Sequence, residues 1–334
     1  MKRKILLYTA GVVAFLYSCS PQELSSVDPF GYSLQDLEKV DLPQVTLERP
    51  APITVSPGAV TVSALGATAG TELSGAGKLS ASTEQFANAV INTAPKAEAS
   101  AVIRETNSAT LTQIMSQKAY TGAQKGFINS FKSLPAQAAG FMPQLTLPVV
   151  QGKPAAARTG AVEETSAPVL IEEVMKGEDG CKSSALEALQ KVLQKLQDKK
   201  GDQLDKAEAE YQKALKEARS GGQCEADKNR KSAVQELDKK YKKLYSDLEK
   251  NKKNTTSAAA LNALFYAELD AINTIYQQEL TACTQAQSLR EAAALAALNA
   301  NKQSIEAGYK KEADKATGIA NAIIAACHNQ GGGK

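Results

Sequence analysis

Residues 244–265, LYSDLEKNKKNTTSAAALNALF, contain the turn on which the predicted fold depends. Residues 251–256 are polar and weakly helical, and they separate two stretches in which large apolar residues recur every three or four positions. The side chain of Ser257 is suited to cap a helix that begins here. We therefore predict that one helix ends before this turn and that the next helix runs back alongside it.

Apolar residues recur at helical spacing throughout the region around this turn. The series are Leu186, Leu189, Leu193 and Leu196; Leu204, Ala207, Tyr211, Ala214 and Ala218; Val234, Leu237, Tyr241, Leu244 and Leu248; and Leu261, Phe265, Leu269, Ile272, Tyr276 and Leu280. Steps of three and four residues place each series on one narrow face of a helix. Ser220-Gly221-Gly222 is a strong helix stop, whereas Gly201 and Gly308 are weaker interruptions. The pattern predicts an all-α fold for residues 181–328, an antiparallel helical hairpin or bundle with coiled-coil-like seams.

Four cysteines of this region are placed symmetrically about the same turn. The pairs Cys181/Cys327 and Cys224/Cys283 have their midpoints at residues 254 and 253.5, so a hairpin that turns there brings each pair level. Cysteines of exported proteins form disulfides. We therefore expect the nested bonds Cys224–Cys283 and Cys181–Cys327.

A local pairing of the same cysteines stays open. Cys181–Cys224 would centre beside Gly201 and Cys283–Cys327 beside Gly308, and a crossed pairing is the third connectivity. The strength of the 251–256 turn favours the nested pattern. Zinc is disfavoured because no two cysteines lie close in sequence and the chain has one histidine. We expect no metal and no cofactor.

A basic and then an apolar segment opens the sequence. Lys2, Arg3 and Lys4 precede a largely apolar stretch of thirteen residues, 5–17, which is shorter than the ~20 residues that a membrane-spanning helix needs and is typical of a signal peptide. The segment ends in Leu16-Tyr17-Ser18-Cys19, which resembles the lipobox of bacterial lipoproteins. The resemblance covers only this leader and its junction.

The resemblance to bacterial lipoproteins implies a lipid attachment and a location in the cell envelope. Residues 1–18 would be removed, and Cys19 would carry diacylglycerol on its sulfur and a fatty acid such as palmitate on its amino group. Each buried acyl CH₂ contributes ~0.8 kcal/mol, so two or three chains give a stable membrane anchor. Ser20 follows without an acidic run, which among such lipoproteins favours the outer membrane. Whether the protein faces the periplasm or the outside stays open.

The region between the anchor and the helical region has a different composition, rich in Ala, Ser, Thr, Pro and Gly. We expect an extended or disordered tether at residues 19–81, short helical segments at 82–133 and a Pro/Ala-rich linker at 134–180. The apolar residues of 82–133 form either a small satellite cluster or a surface that docks on the later helices. Residues 329–334 are expected to be a flexible tail, so the amino-terminal half is predicted to be largely irregular.

Several function classes are disfavoured by the composition. A net charge of +3 gives no reason to expect a nucleic-acid partner, and the absence of Trp is unlike a carbohydrate-stacking cleft. The adjacent carboxylates Glu163-Glu164 lie in the predicted linker, where such pairs are usually solvated. We identify no catalytic residue in the sequence.

The favoured hypothesis is a lipid-anchored envelope protein whose helical bundle has a structural or protein-binding role. The alternative is a ligand-binding or enzymatic lipoprotein with a site between the amino-terminal segments and the helical region. An apolar pocket ringed by polar groups would favour that alternative. A weaker option is attachment of Lys334 to peptidoglycan, which only an accessible terminal lysine supports.

Overall fold

The computed structural model of the protein describes residues 31–117, 119–154, 180–220 and 224–329. Helix accounts for 76% of these residues and strand for 4%, which confirms the predicted helical class. The predicted signal peptide, the lipidation residue Cys19, residues 155–179 of the predicted linker and Lys334 lie outside the described residues.

Ten helices and five short strands follow one another along the described residues. In chain order they are α1 (Gly31–Glu38), β1 (Val55–Ser56), β2 (Ala59–Thr61), α2 (Ala64–Ser74), α3 (Ala81–Thr93), α4 (Lys96–Glu105), α5 (Leu111–Ser116), α6 (Gly122–Ser130), α7 (Ala136–Ala139), β3 (Gln144–Thr146), β4 (Val149–Val150), β5 (Lys153–Pro154), α8 (Gly180–Arg219), α9 (Ala226–Lys250) and α10 (Thr255–Asn329). A 3₁₀ turn, Phe131–Ser133, follows α6.

The predicted turn at residues 251–256 separates α9 from α10. Asn254, rather than the predicted Ser257, caps α10, because its Oδ1 accepts a hydrogen bond from the Ser257 amide at 2.8 Å. This bond satisfies one of the N–H groups that a helix start leaves free. Lys252 adopts a φ of 50°, the left-handed conformation that reverses the chain direction within a few residues.

One of the predicted glycine interruptions coincides with the end of a helix, and two do not. Helix α8 ends at Arg219, immediately before the predicted Ser220-Gly221-Gly222 stop. Gly201 and Gly308 do not interrupt α8 and α10, which run through them. A single glycine costs about 1 kcal/mol in a helix interior, which the hydrogen bonding and packing of a long helix tolerate.

The described residues fall into two compact units, each with its own core. Unit 1 comprises Met1–Arg49, Glu164–Lys213 and Leu295–Lys334, and unit 2 comprises Pro50–Glu163 and Ala214–Ala294. The long helices α8 and α10 contribute residues to both units.

Unit 2 contains a broad apolar core with many aromatic rings. Helix α9 packs against α2 and α5, while α4 packs against α6. The largest fully buried side chains of this core are Leu73, Phe86, Leu111, Phe127, Tyr241, Tyr245, Leu261, Leu264, Phe265 and Tyr266. Phe265 meets Tyr241 and Tyr266 edge to face at centroid distances of 5.2 and 5.0 Å, an arrangement that adds to the burial energy of the rings. The apolar residues of 82–133 therefore dock on the later helices, the second of the two outcomes left open above.

The buried tyrosine hydroxyls of unit 2 all have partners. Tyr266 accepts a hydrogen bond from Gln124 Nε2 at 3.2 Å and shares one with Thr106 Oγ1 at 3.1 Å. Tyr245 donates to Asn262 Oδ1. Because an unpaired buried hydroxyl costs about 1–3 kcal/mol, these polar side chains allow rings with hydroxyl groups to fill the core.

Small antiparallel strand pairs complete unit 2. Strand β1 pairs with β4 and β4 with β5, while β2 pairs with β3 through Val60 opposite Leu145. Gln151 and Gly152, with φ values of 52° and 72°, make the two-residue turn between β4 and β5. The predicted helical segments of 82–133 include α5, α6 and the 3₁₀ turn, with Thr121 forming a capping box at the start of α6.

Unit 1 has a narrower core in which residues 31–49 lie on α8 and α10. Leu37, Val40 and Leu42 are buried against Val192, Leu196, Ala316 and Ala320. Val45 and Leu47 pack on a second small cluster of Ala207, Leu298 and Ile305. The alternation of half-buried Val45 and Leu47 with exposed neighbours is typical of an extended segment with one covered face.

Two side-chain amides hold the backbone of this extended segment. Gln203 accepts from the Val45 amide at 3.0 Å and donates to the Pro43 carbonyl at 3.1 Å. Asn301 accepts from the Glu48 amide at 2.7 Å and donates to the Glu48 carbonyl at 3.1 Å. Each side-chain amide thus supplies the hydrogen bonds that a neighbouring strand would otherwise give. The backbone of a helix cannot supply them, because its own amides and carbonyls are already paired.

The amino-terminal part of the chain is irregular, as predicted, but the predicted tether and linker contain ordered elements. Residues 31–38 and 64–74 are helical, residues 39–49 are docked on α8 and α10, and residues 144–154 contain three short strands. Their prolines and glycines do break regular structure, but the partners that order these segments lie about 150 to 250 residues away in sequence, as the separations of 158 and 253 at Gln203 and Asn301 show. Local composition alone therefore underestimates their order.

Candidate functional site

The disulfide bonds expected from the sequence are present, with one bond in each unit. Cys181 is bonded to Cys327 in unit 1, with a Cα–Cα distance of 6.1 Å. Cys224 is bonded to Cys283 in unit 2, with a Cα–Cα distance of 5.5 Å. This is the nested arrangement, in which both bonds join a residue before the 251–256 turn to a residue after it.

A cavity of about 250 Å³ in unit 2 combines an apolar floor with charged walls. Helices α9 and α10 line it, and so do residues of the stretch 58–62, which includes β2 and is called the crossing segment below. Leu237, Ile272 and Ile275 supply apolar surface. The five charged residues that line it are Arg230, Glu236, Lys240, Glu268 and Glu279.

Glu279 joins the crossing segment to the helices. Its Oε1 accepts hydrogen bonds from the Gly58 amide at 3.1 Å and from Asn229 Nδ2 at 3.2 Å. The residue is only 5% exposed. A side chain at position 58 would meet Ile275 Cγ2 at 2.8 Å, so only glycine lets the backbone approach α10 closely enough for this bond.

At the other end of the cavity, Glu268 is paired with a cation. Lys240 Nζ and the Tyr241 hydroxyl both donate to Glu268 Oε1, at 2.6 and 2.7 Å. Burial raises the pKa of Tyr241 well above its ordinary value, and the adjacent Glu268 carboxylate raises it further. Tyr241 therefore stays a neutral donor, and the Lys240–Glu268 pair contributes no net charge to the cavity.

Arg230 is positioned by its neighbours on the same face. Its guanidinium lies 5.4 Å from the centroid of the Tyr276 ring, and its Nε donates to Asn273 Oδ1 at 3.1 Å. Asn273 in turn donates to the Tyr120 hydroxyl at 2.9 Å. Tyr276 donates to Asp227 at 2.8 Å, and this bond raises the pKa of Tyr276 above its ordinary value. The ring face beneath Arg230 is thereby fixed.

This cavity was not predicted from the sequence. Most of its charged residues resemble a solvated helix face, because they stand beside a predicted apolar stripe position, as Glu268 does beside Leu269 and Glu279 beside Leu280. One local feature could have indicated the cavity. Gly58 lies between Pro57 and a β-branched run, and a glycine in such a place indicates that the backbone comes close to another element. Nothing in the local sequence says which helix it approaches.

The described residues contain no group of three or more His, Cys, Asp or Glu side chains placed to share a metal ion. None of the helices that the structure describes is both long and apolar enough to cross a bilayer.

Comparison with protein-family models, with curated proteins and with solved structures found no match to this chain.

Proposed function

We propose that this protein is a lipid-anchored protein of the bacterial cell envelope, attached through Cys19 and located in the outer membrane, which the Ser20 junction favours. Its helical region carries out a structural or protein-binding role. The observation that carries the proposal is the pair of disulfides, since such bonds persist in the oxidising compartments to which the predicted leader would direct the chain.

The anchor is tested by mass spectrometry of the protein extracted from membranes. We expect a first residue Cys19 that carries diacylglycerol and an amide-linked fatty acid. Cys19→Ser should abolish the lipid and release the protein from the membrane fraction, because serine is too weak a nucleophile for thioether formation. An unmodified first residue, or a start at another position, would contradict the anchor.

A structural or binding role is tested by cross-linking in the native envelope. Purification through a carboxy-terminal tag after cross-linking should recover the same partner from wild-type cells but not from cells that carry Cys19→Ser. Digestion of purified peptidoglycan gives a second readout, because muropeptides linked to Lys334 would identify attachment through the tail. Recovery of the monomer alone in both experiments would oppose the proposal.

We also propose coiled-coil-like packing of the helices in unit 1. Leu196 on α8 is fully buried, whereas its neighbour Gln197 is exposed. Leu196→Asp should therefore unfold unit 1, and Gln197→Asp should leave it intact, when helix content and amide exchange are compared. Equal tolerance of both changes would exclude a packed seam at this position.

The cavity in unit 2 favours a second candidate function, the binding of a small ligand. It lies between a segment from the amino-terminal half and the later helices, and it combines an apolar floor with buried polar groups. Such a combination is the usual composition of a ligand site. A thermal-shift screen of small polar metabolites against the purified chain tests this candidate, and a Gly58→Val variant, which would displace the crossing segment, should lose any shift.

A further inference from the structure

Glu279 is a buried carboxylate whose hydrogen-bond partners carry no charge. The residue is 5% exposed, and its partners are a backbone amide and the amide of Asn229. Among the described residues, no cation lies within 4.0 Å of its carboxylate. Buried carboxylates are normally paired with a cation, because hydrogen bonds from neutral groups offset only part of the cost of removing the charge from water.

Arg230, which lines the same cavity, is a cation without a carboxylate partner. It uses Nε to bind the neutral Asn273, and no carboxylate of a described residue lies within 4.0 Å of its guanidinium. A guanidinium has five N–H donors in a planar fork that matches a carboxylate. The groups that bind Arg230 within the protein therefore leave its charge unmatched.

Arg230 and Glu279 line the same cavity, and the third unpaired charge of its lining, Glu236, is exposed to solvent. Arg230 stacks on Tyr276, and Tyr276 and Glu279 are three residues apart on α10, the spacing that makes side chains neighbours on one helix face. Leu237, Ile272 and Ile275 supply apolar surface in the same cavity. A simple anion or a simple cation would match one of the two charges and worsen the other.

We propose that this cavity binds a small zwitterion, an α-amino acid with an aliphatic side chain. The ligand ammonium pairs with Glu279, its carboxylate pairs with Arg230, and its side chain lies against Leu237, Ile272 and Ile275. Lys240 is already neutralised by Glu268, so it does not compete for the ligand carboxylate. This inference rests on the ligand-binding candidate function and specifies its ligand class.

Isothermal titration calorimetry of the purified full chain tests the ligand class with three probes. L-leucine carries both charges, N-acetyl-L-leucine lacks the ammonium, and L-leucinamide lacks the carboxylate. We expect L-leucine to bind at least about tenfold more tightly than either analogue, the equivalent of one lost charge-assisted hydrogen bond. Tighter binding of an analogue would overturn the zwitterion while leaving ligand binding intact. No binding of any probe at about 10 mM, where a Kd of 1 mM would be detected, overturns the zwitterion site.

These outcomes separate the inference from the candidate function on which it rests. If the leucine probes fail while the metabolite screen yields a ligand that Gly58→Val abolishes, the ligand class is wrong and the binding function stands. If both experiments fail, the binding function falls as well.

Charge-removing variants test the two residues. Glu279→Gln and Arg230→Gln should each weaken L-leucine binding at least about tenfold. The matched controls are Glu225→Gln and Arg104→Gln, which change exposed residues of unit 2 that do not line the cavity, and they should bind like wild type. Thermal unfolding without ligand verifies that each variant is folded. Unchanged affinity in folded Arg230→Gln would overturn the assignment, even if Glu279→Gln proves too unstable to measure.

Discussion

Units 1 and 2 contain parts of the same long helices but are stabilised in different ways. In unit 2, the helices meet a broad core with several stacked or edge-to-face aromatic rings. In unit 1, two small clusters of alanine and aliphatic side chains line the helices, and an extended segment covers them. A helical stripe rich in alanine buries too little apolar area by itself, so unit 1 depends more on polar side-chain contacts and on its disulfide.

The largest effect is expected in the aromatic core of unit 2. Phe265 is fully buried and contacts Tyr241, Tyr245 and Tyr266. Phe265→Ala should lower the free energy of unfolding of unit 2 by about 3–5 kcal/mol, through lost burial and the cavity left behind. Urea unfolding followed by the near-ultraviolet circular dichroism of the tyrosines measures this change. The exposed Leu289→Ala of unit 2 should change it by less than about 0.5 kcal/mol, and equal effects of the two variants would contradict a core at Phe265.

The two disulfides are expected to stabilise the two units to different degrees. Cys181–Cys327 joins residues 146 apart, whereas Cys224–Cys283 joins residues 59 apart. Replacing either pair by serine should cost about 2–4 kcal/mol, with the larger loss for the longer loop in the chain-entropy account. Because unit 1 has the thinner core, loss of Cys181–Cys327 should also increase amide exchange throughout residues 180–213 and 295–329. We expect unit 1 to depend more on its disulfide than unit 2 does. This expectation would be contradicted if loss of Cys224–Cys283 increased amide exchange in unit 2 more than loss of Cys181–Cys327 increased it in unit 1.

The helical region could be predicted from the sequence because its signals are local. The stripe positions, the glycine stop after Arg219 and the turn before Thr255 each act within a few residues. The cysteine positions then added a long-range constraint, since their symmetry about the turn relates residues that are 146 and 59 positions apart.

The amino-terminal half and the cavity could not be predicted in the same way. Residues 39–49 carry no regular hydrogen-bonding pattern of their own, and their order comes from Gln203 and Asn301, which look like ordinary surface amides in the sequence. Glu279 has the same character, because its role depends on Gly58, 221 residues earlier. Such polar residues bind the backbone of a segment that is distant in sequence. A single sequence does not indicate which distant segment packs against them.

A smaller effect is expected at the amide fastening of unit 1. Asn301 is 3% exposed, and both polar atoms of its side chain bind the backbone of Glu48. Asn301→Leu should cost about 1–3 kcal/mol, because the backbone amide and carbonyl of residue 48 lose two partly buried hydrogen bonds. Amide exchange of residues 43–48 measures the loss directly. Gln212→Leu, which removes an exposed amide from α8 in the same unit, should leave these amides protected.

The smallest effect is expected at the surface ion pairs that hold Asp41 in unit 1. Lys199 Nζ donates to both carboxylate oxygens at 2.6 Å, and Lys195 lies 3.5 Å away. The hydrogen bond from Lys199 is the main cause that lowers the pKa of Asp41 below its ordinary 3.8. A lowered pKa in the folded state stabilises the protein above pH 3.8, and this contribution is lost as the pH falls through the lowered value. Since the Asp41 side chain is 46% exposed, Asp41→Asn should cost less than about 1 kcal/mol at neutral pH and almost nothing in acid.

Unfolding of wild type and Asp41→Asn, measured at pH 7 and again below pH 3.8, checks the sign of this effect. Asp202→Asn removes an exposed carboxylate from α8 and is the control. High salt should narrow the wild-type advantage at pH 7, because exposed charges are screened within about 10 Å at 0.1 M. An advantage that grows in acid would mean that Asp41 is stabilised in its protonated form, contrary to its contacts with Lys195 and Lys199. If that advantage in acid were found, the ion pairs of Asp41 would not hold residues 41–49 on the helices. The hydrogen bonds from Gln203 and Asn301 would then be the main polar contacts of these residues.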